Sequence, residues 1–174
     1  MRTALLALLL GLCGTARAGE DEWTLGVAPV LSNVNFDSRQ PWGGGASAFV
    51  TYGLSDSWSL HAATVFTAHP VDPGKNDKPP GGTIAVAGGY GGVRYAFDLL
   101  RTVPYLDLGL GILWANGGGT SGQAFSYQAA IGFDRLQSPT WSWGAVVAYQ
   151  AFVSDYSRLP VYLYMGPTFT WRWY

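Results

Sequence analysis

The segment 105–114, Tyr-Leu-Asp-Leu-Gly-Leu-Gly-Ile-Leu-Trp, alternates large apolar residues with small or polar ones. Successive side chains of a β-strand point to opposite faces, so such a segment has one apolar face. That face would carry Leu106, Leu108, Leu110, Ile112 and Trp114. The pattern recurs about eight times along the chain, which predicts an all-β protein built from strands with one apolar face each.

The first 18 residues have the pattern of a cleaved secretory signal peptide. A basic start at Arg2 precedes an apolar run that is too short to cross a bilayer as a helix, and Ala16-Arg17-Ala18 provides the cleavage site. Cleavage after Ala18 leaves 156 residues (174 − 18), 19–174, which is one domain. The only cysteine, Cys13, leaves with the signal. Acylation of Cys13 is the alternative, although Leu12 stands where such a site needs a small residue.

The charge content separates membrane from soluble classes of β-protein. Charged residues make up 12% of the chain, against about 25% in a soluble domain. Without the two arginines of the signal, 8 basic residues face 11 acidic ones, a balance of −3 that gives no basic surface for nucleic acid. A secreted, charge-poor chain of alternating strands is typical of a barrel whose outer face meets lipid. A soluble, lipocalin-like barrel with its apolar face inside is the alternative that alternation alone leaves open.

We therefore predict an eight-stranded antiparallel up-and-down transmembrane β-barrel. Its strands are expected at 22–32, 44–54, 58–67, 83–97, 103–114, 123–134, 140–153 and 161–174. Glycine- and proline-rich loops are expected at 68–82 and 115–122, and shorter turns follow the second, fourth and sixth strands. Because bacterial barrels have short periplasmic turns and long external loops, both termini are expected in the periplasm.

The tryptophans fall near the ends of these strands. Aromatic rings with a polar edge collect at the two membrane–water interfaces, so this placement predicts an aromatic girdle. Its members at the periplasmic end are Trp23, Trp58, Trp141, Trp143, Trp171 and Trp173, and those at the external end are Trp42 and Trp114.

These features together resemble the small outer-membrane barrels of the OmpA/OmpX-like class. The resemblance is carried by the signal through Ala18, by Tyr52-Gly53-Leu54 before a short turn, by the segment 104–111 and by the aromatic C-terminal Tyr174. It implies a protein of the bacterial outer membrane that contacts outer-membrane lipid and lipopolysaccharide and is inserted by the barrel-assembly machinery. Tyr174 is one residue out of phase with the outward set of the last strand, which leaves the register of that strand open.

The hairpin between strands four and five predicts the main feature of the interior. If the chain turns through 99–102, residues whose numbers sum to 201 face each other, which pairs Arg94 with Asp107 and Tyr90 with Gly111. Buried charges are generally paired, so Arg94 and Asp107 are expected to form an interior polar pair. Hydrogen-bonding side chains on other inner faces are expected to complete a polar plug, namely Ser126, Gln128 and Thr170.

The sequence predicts no catalytic, cofactor-binding or metal site. His61 and His69 are the only histidines and stand in no metal-binding spacing. A serine near a histidine base can act as a nucleophile. The pair Asp37-Ser38 with His69 therefore leaves open a resemblance to the lipid A palmitoyltransferases of the outer membrane.

The expected function is non-enzymatic. A charge-poor barrel filled by side chains and presenting loops outside the cell predicts a structural role or contact with an unidentified surface partner. A small-solute pore and a lipid A-modifying acyltransferase at the outer rim are the alternatives.

Overall fold

The computed structural model describes residues 20–34, 41–71, 82–97, 101–117, 120–152 and 161–173, so the expected signal peptide and Tyr174 lie outside it. Eight strands form a closed barrel in which each strand pairs with its neighbours in the chain and β1 pairs antiparallel with β8. The strands are β1 Trp23–Val34, β2 Trp42–Gly53, β3 Trp58–Val71, β4 Gly82–Ala96, β5 Thr102–Gly117, β6 Thr120–Leu136, β7 Trp141–Phe152 and β8 Val161–Trp173. The predicted fold is thereby confirmed. Within the described ranges, no helix is long and apolar enough to span a bilayer.

The two faces of every strand are those that the alternation predicts. The large apolar side chains assigned to the lipid face point outward; Leu108 is 51% and Ile131 is 62% exposed. The inward set is buried and includes many polar side chains, among them Arg94, Asp107 and Gln128. A soluble barrel of the lipocalin kind would place its apolar residues inside, so that alternative is wrong.

The predicted loop at 115–122 is wrong. β5 continues to Gly117 and β6 begins at Thr120, and these two residues pair across the hairpin. The predicted loop at 68–82 also begins too early, because β3 runs to Val71; residues 72–81 lie outside the described part of the chain. In both places the backbone ladder to a neighbouring strand outweighs a local composition that is poor in strand-forming residues.

The two ends of the barrel differ in their connections. Turns join β2 to β3, β4 to β5 and β6 to β7 at the end where β1 starts and β8 finishes. We call this the short-turn end and the opposite end the loop end. Every charged side chain of the described residues lies in the short-turn half or at its rim. This asymmetry decides where electrostatic interactions can occur.

Two prolines face each other where the barrel closes. In the β1–β8 register Pro29 stands opposite Pro167, and the ladder is interrupted between Val27–Phe169 and Leu31–Met165. Proline has no backbone N–H, so neither residue can donate across this position. The Pro29 carbonyl lies against the backbone of Gly166, on the side that faces β8. The closing seam therefore lacks a hydrogen-bonded pair near its middle.

Candidate functional site

Arg94 and Asp107 meet in the short-turn half of the interior. They are direct partners in the β4–β5 register, in which paired residue numbers sum to 201. Arg94 Nε donates to Asp107 Oδ1 at 2.6 Å, and Arg94 Nη2 donates to Asp107 Oδ2 at 2.9 Å. The two residues are 6% and 3% exposed. Such a two-pronged contact is the geometry in which a planar guanidinium binds a carboxylate most specifically.

A second carboxylate links this pair to the rim. Asp134 Oδ2 lies 4.0 Å from Arg94 Nη1 and 3.9 Å from Arg172 Nη2. Arg172 Nη1 in turn lies 3.6 Å from Glu22 Oε1. A line of alternating charges therefore runs from the buried pair on β4 and β5 through β6 and β8 to the start of β1.

His61 approaches the other side of the pair. Its Nε2 atom lies 4.0 Å from Asp107 Oδ2, and the side chain is buried. His61, Asp134 and Arg172 are not predicted from the sequence as parts of this network. Strand alternation could have shown that all three side chains point inward. Asp134 and Arg172 each follow an outward aromatic residue, and His61 is flanked by outward positions.

Aromatic rings hold the Arg94 guanidinium in place. Its central carbon lies 3.8 Å from the ring centroid of Tyr105 and 5.2 Å from that of Phe49. A cation above an aromatic face is stabilised by the ring quadrupole, most strongly where water is excluded. Gly132 leaves room for the Tyr105 ring, because a Cβ atom there would stand 2.5 Å from the phenol oxygen.

The side chains expected to hydrogen-bond to the Arg94–Asp107 pair bond to other interior residues instead. Gln150 Nε2 donates to Gln128 Oε1 at 2.8 Å, and Thr170 shares a hydrogen bond with the Ser142 hydroxyl. Within the described residues no hydrogen bond joins Ser126 to the arginine–aspartate pair. The expectation that these three side chains complete the hydrogen bonds of Arg94 and Asp107 is wrong. Asp134 approaches the pair instead, with its Oδ2 atom 4.0 Å from Arg94 Nη1.

Tyrosines fill the interior toward the loop end. The hydroxyls of Tyr90 and Tyr164 share a hydrogen bond, and the fully buried Tyr162 bonds through its hydroxyl to Thr67 Oγ1 at 2.9 Å. Tyr90 lies across from Gly111, and a Cβ atom added to Gly111 would stand 2.5 Å from the Cβ atom of Tyr90. Small residues opposite large rings allow a narrow barrel to be filled.

His69 belongs to this interior cluster. Its Nε2 atom lies 3.0 Å from Thr67 Oγ1 and 3.2 Å from Ser32 Oγ, and its Nδ1 atom donates to the Pro41 carbonyl at 3.2 Å. His69 and Ser32 are both fully buried. The acyltransferase alternative would need His69 accessible at the rim beside Asp37-Ser38. Asp37 and Ser38 lie outside the described residues, and His69 faces the interior.

Little free space remains in the interior between the short-turn half and the loop half. A cavity of about 10 Å³ lies among His61, Tyr90, Arg94, Tyr105 and Gln128, which is at most room for one water. A polar vestibule of about 150 Å³ opens at the short-turn end and reaches Arg94, Tyr105, Asp134 and Arg172. Two buried atoms of its lining, the Tyr105 hydroxyl and Arg172 Nε, have no protein hydrogen-bond partner.

The tryptophans lie on the outside near the strand ends. At the short-turn end the exposed rings are those of Trp23, Trp58, Trp141, Trp143, Trp171 and Trp173, and toward the loop end they are those of Trp42 and Trp114. Some contact tyrosines of the same face, as in Trp23–Tyr52 and Trp58–Tyr95, each with 4.9 Å between ring centroids. The exterior thus presents an apolar band bordered by rings with polar edges.

The comparisons with known proteins support the fold alone. No protein-family model and no curated protein sequence matches this chain. Among solved structures, Neisserial surface protein A has a TM-score of 0.66 at 13% identity, covering 86% of this chain and 95% of that one. The outer membrane protein OprG of Pseudomonas aeruginosa has a TM-score of 0.64 at 12% identity, covering 91% and 100%.

The attachment invasion locus protein Ail of Yersinia pestis is a third similar structure, with a TM-score of 0.57 at 16% identity over 88% of this chain and 99% of that one. All three similarities extend over almost the whole described chain. The chain therefore has the fold of the small eight-stranded outer-membrane β-barrels, the class that includes the OmpA/OmpX-like proteins.

Proposed function

We propose that this chain is a non-enzymatic barrel of the bacterial outer membrane whose interior is plugged and whose external loops carry its contacts. The observation that carries the proposal is the division between the two faces. The exterior is an apolar band bordered by tryptophans, while the interior closes on the Arg94–Asp107 pair and the Tyr90–Tyr164 pair. A surface of this kind is stable only against lipid, and an interior of this kind holds no continuous water path.

The location and orientation belong to the proposal. After removal of residues 1–18 the mature chain would enter the outer membrane through the barrel-assembly machinery, with both termini and the short turns in the periplasm. The tryptophan girdle at each end would lie at the level of the headgroups. Lipid and lipopolysaccharide would then contact the band, and the loops would face an unidentified surface partner. One solved structure of Ail contains the heparin analogue sucrose octasulfate, which supports looking for polyanionic partners.

Cell fractionation tests the location. The mature protein should begin at Gly19, sediment with the outer membrane and migrate differently on gels before and after heating. Recovery of a monomer from periplasm without detergent would contradict the proposal.

Ion conductance distinguishes the plugged barrel from the pore alternative. The purified barrel in a planar lipid bilayer should give no stable conductance steps, since the cavity above Arg94 is about 10 Å³. A steady single-channel current in the wild-type protein would overturn the plug and support a pore. Incubation with lipid A and phospholipid, followed by mass spectrometry, tests the acyltransferase alternative, and no acylated lipid A is expected because the candidate base His69 is buried.

A further inference from the structure

Three arginines surround a cleft at the short-turn end that the proposed plug does not use. The cleft has a volume of about 500 Å³ and lies over the turn between β6 and β7. We call it the arginine cleft and define it by Arg101, Arg135 and Arg172, with Glu22, Gln137 and Ser138 as its other polar residues. Its charges sum to +2, from three arginines and one glutamate.

Two of these arginines have no ionic partner among the residues that the structure describes. Arg101 and Arg135 are exposed, and among the described residues no carboxylate pairs with either of them. Arg172 differs, because Glu22 and Asp134 hold its terminal nitrogens at 3.6 and 3.9 Å. The guanidinium N–H groups that remain available to bind an anion in the cleft are therefore mainly those of Arg101 and Arg135.

The backbone holds the cleft in a fixed shape. Leu136 N donates to the Arg101 carbonyl at 2.9 Å, which ties the β4–β5 turn to the end of β6. Ser138 Oγ accepts hydrogen bonds from the backbone N–H groups of Thr140 and Trp141, each at 3.2 Å. The guanidiniums of Arg101 and Arg135 thus start from ordered backbone, one just before β5 and one on the adjacent strand β6. Less entropy is therefore lost when they bind one ligand together.

The height of the cleft identifies its ligand class. Arg135 stands in the outward phase of β6, two residues beyond the exposed Phe133, and its β7 partner in the register is Trp143. Exposed tryptophans mark the level of lipid headgroups, so Arg135 lies at that level and faces outward. Guanidinium groups bind phosphate through paired hydrogen bonds.

We propose that the arginine cleft binds the phosphate of an anionic phospholipid in the leaflet at the short-turn end. This inference rests on the proposed membrane location. Arg101 and Arg135 would bind the phosphate directly, and Arg172 would add positive electrostatic potential from the rim. Asp56 lies in the β2–β3 turn, across the barrel from the β6–β7 turn, and Asp21 contacts Tyr52 and Gly53 of β2. The headgroup would therefore be held on one side of the barrel.

Tryptophan quenching in vesicles tests the proposal. The mature protein is reconstituted in phosphatidylcholine vesicles that contain an equal fraction of brominated phosphatidylglycerol or brominated phosphatidylcholine. The wild type should be quenched preferentially by the anionic lipid. Each arginine near an anionic surface contributes about fivefold in affinity, so Arg101→Gln/Arg135→Gln should lose about 25-fold of this preference.

A matched control removes the same charge elsewhere. Lys75→Gln/Lys78→Gln also lowers the net charge by two, in a segment that the sequence places in the loop at the other end, and it should keep the preference. Arg101→Lys/Arg135→Lys retains the charge but not the paired hydrogen bonds, and it should fall between the wild type and the glutamine variant. A lysine variant equal to the wild type would overturn a bound phosphate in favour of diffuse attraction.

The remaining outcomes separate the failures. Insertion into vesicles without any preference for phosphatidylglycerol would overturn the cleft and leave the proposed function standing. Failure to insert into either kind of vesicle would overturn both. Inorganic phosphate added at constant ionic strength should not abolish the preference; if it does, the site takes soluble anions and the lipid assignment is wrong. Heat-dependent gel migration confirms that each variant is folded.

Discussion

Separate and combined removal of Arg94 and Asp107 tests the interior most directly. The two side chains share two charge-assisted hydrogen bonds at 2.6 and 2.9 Å and are almost fully buried. Removing one partner of such a pair leaves a buried charge without its counterion and costs about 3–5 kcal/mol in the free energy of unfolding. Removing both partners leaves no such charge.

The surroundings of the pair predict that the two single losses differ. In Arg94→Ala, the one ionic contact that Asp107 keeps among the described residues is His61 at 4.0 Å, so the loss should reach about 3–5 kcal/mol. In Asp107→Ala, Arg94 keeps Asp134 at 4.0 Å and the Tyr105 ring at 3.8 Å, so the loss should be about 2–3 kcal/mol. The double variant should lose no more than Arg94→Ala alone, which gives a coupling energy of about 2–3 kcal/mol.

The assay is urea unfolding of the refolded barrel in lipid vesicles, followed by tryptophan fluorescence and by gel mobility. Gln128 and Gln150 provide a matched neutral control, because their single hydrogen bond at 2.8 Å should couple by only about 0.5–1.5 kcal/mol. Additive losses at Arg94 and Asp107 would refute the pairing. Equal single losses would refute the role given to Asp134.

Three further outcomes are expected. Leu108→Arg should destabilise the barrel in lipid by about 2–4 kcal/mol, because Leu108 is 51% exposed near the middle of the apolar band; unfolding at the wild-type urea concentration would show that this face does not meet lipid. Backbone amides beside the gap between Pro29 and Pro167 should exchange hydrogen faster than amides at the same depth between β1 and β2. The double variant Pro29→Val/Pro167→Val should slow the exchange of these amides by roughly fivefold for each kcal/mol of restored hydrogen bonding. Equal exchange rates at the β1–β8 and β1–β2 pairings of the wild type would contradict a weak β1–β8 pairing. An epitope tag after Lys75 should be detected by antibody on intact cells, whereas detection only after lysis would reverse the orientation.

Local pattern fixed the strands and their faces. Alternation with a period of two depends only on neighbouring residues, so Leu108 outward and Asp107 inward follow from the order of residues alone. The same holds for the β4–β5 register, because a short turn leaves few ways to align the two strands. Composition was a weaker guide at 115–122, where glycine and serine predicted a loop and the ladder between β5 and β6 formed strand instead.

Only closure of the barrel decided which distant residues meet. Asp134, Arg172 and Glu22 stand on β6, on β8 and just before β1, and no local pattern states their relative height. The tilt and stagger of the strands set that height once the sheet closes on itself. The facing prolines at the β1–β8 seam have the same origin, since Pro29 and Pro167 become partners only when the first strand pairs with the last. Sequence periodicity therefore determined which side chains point inward, and the tertiary structure determined which of them contact each other inside the barrel.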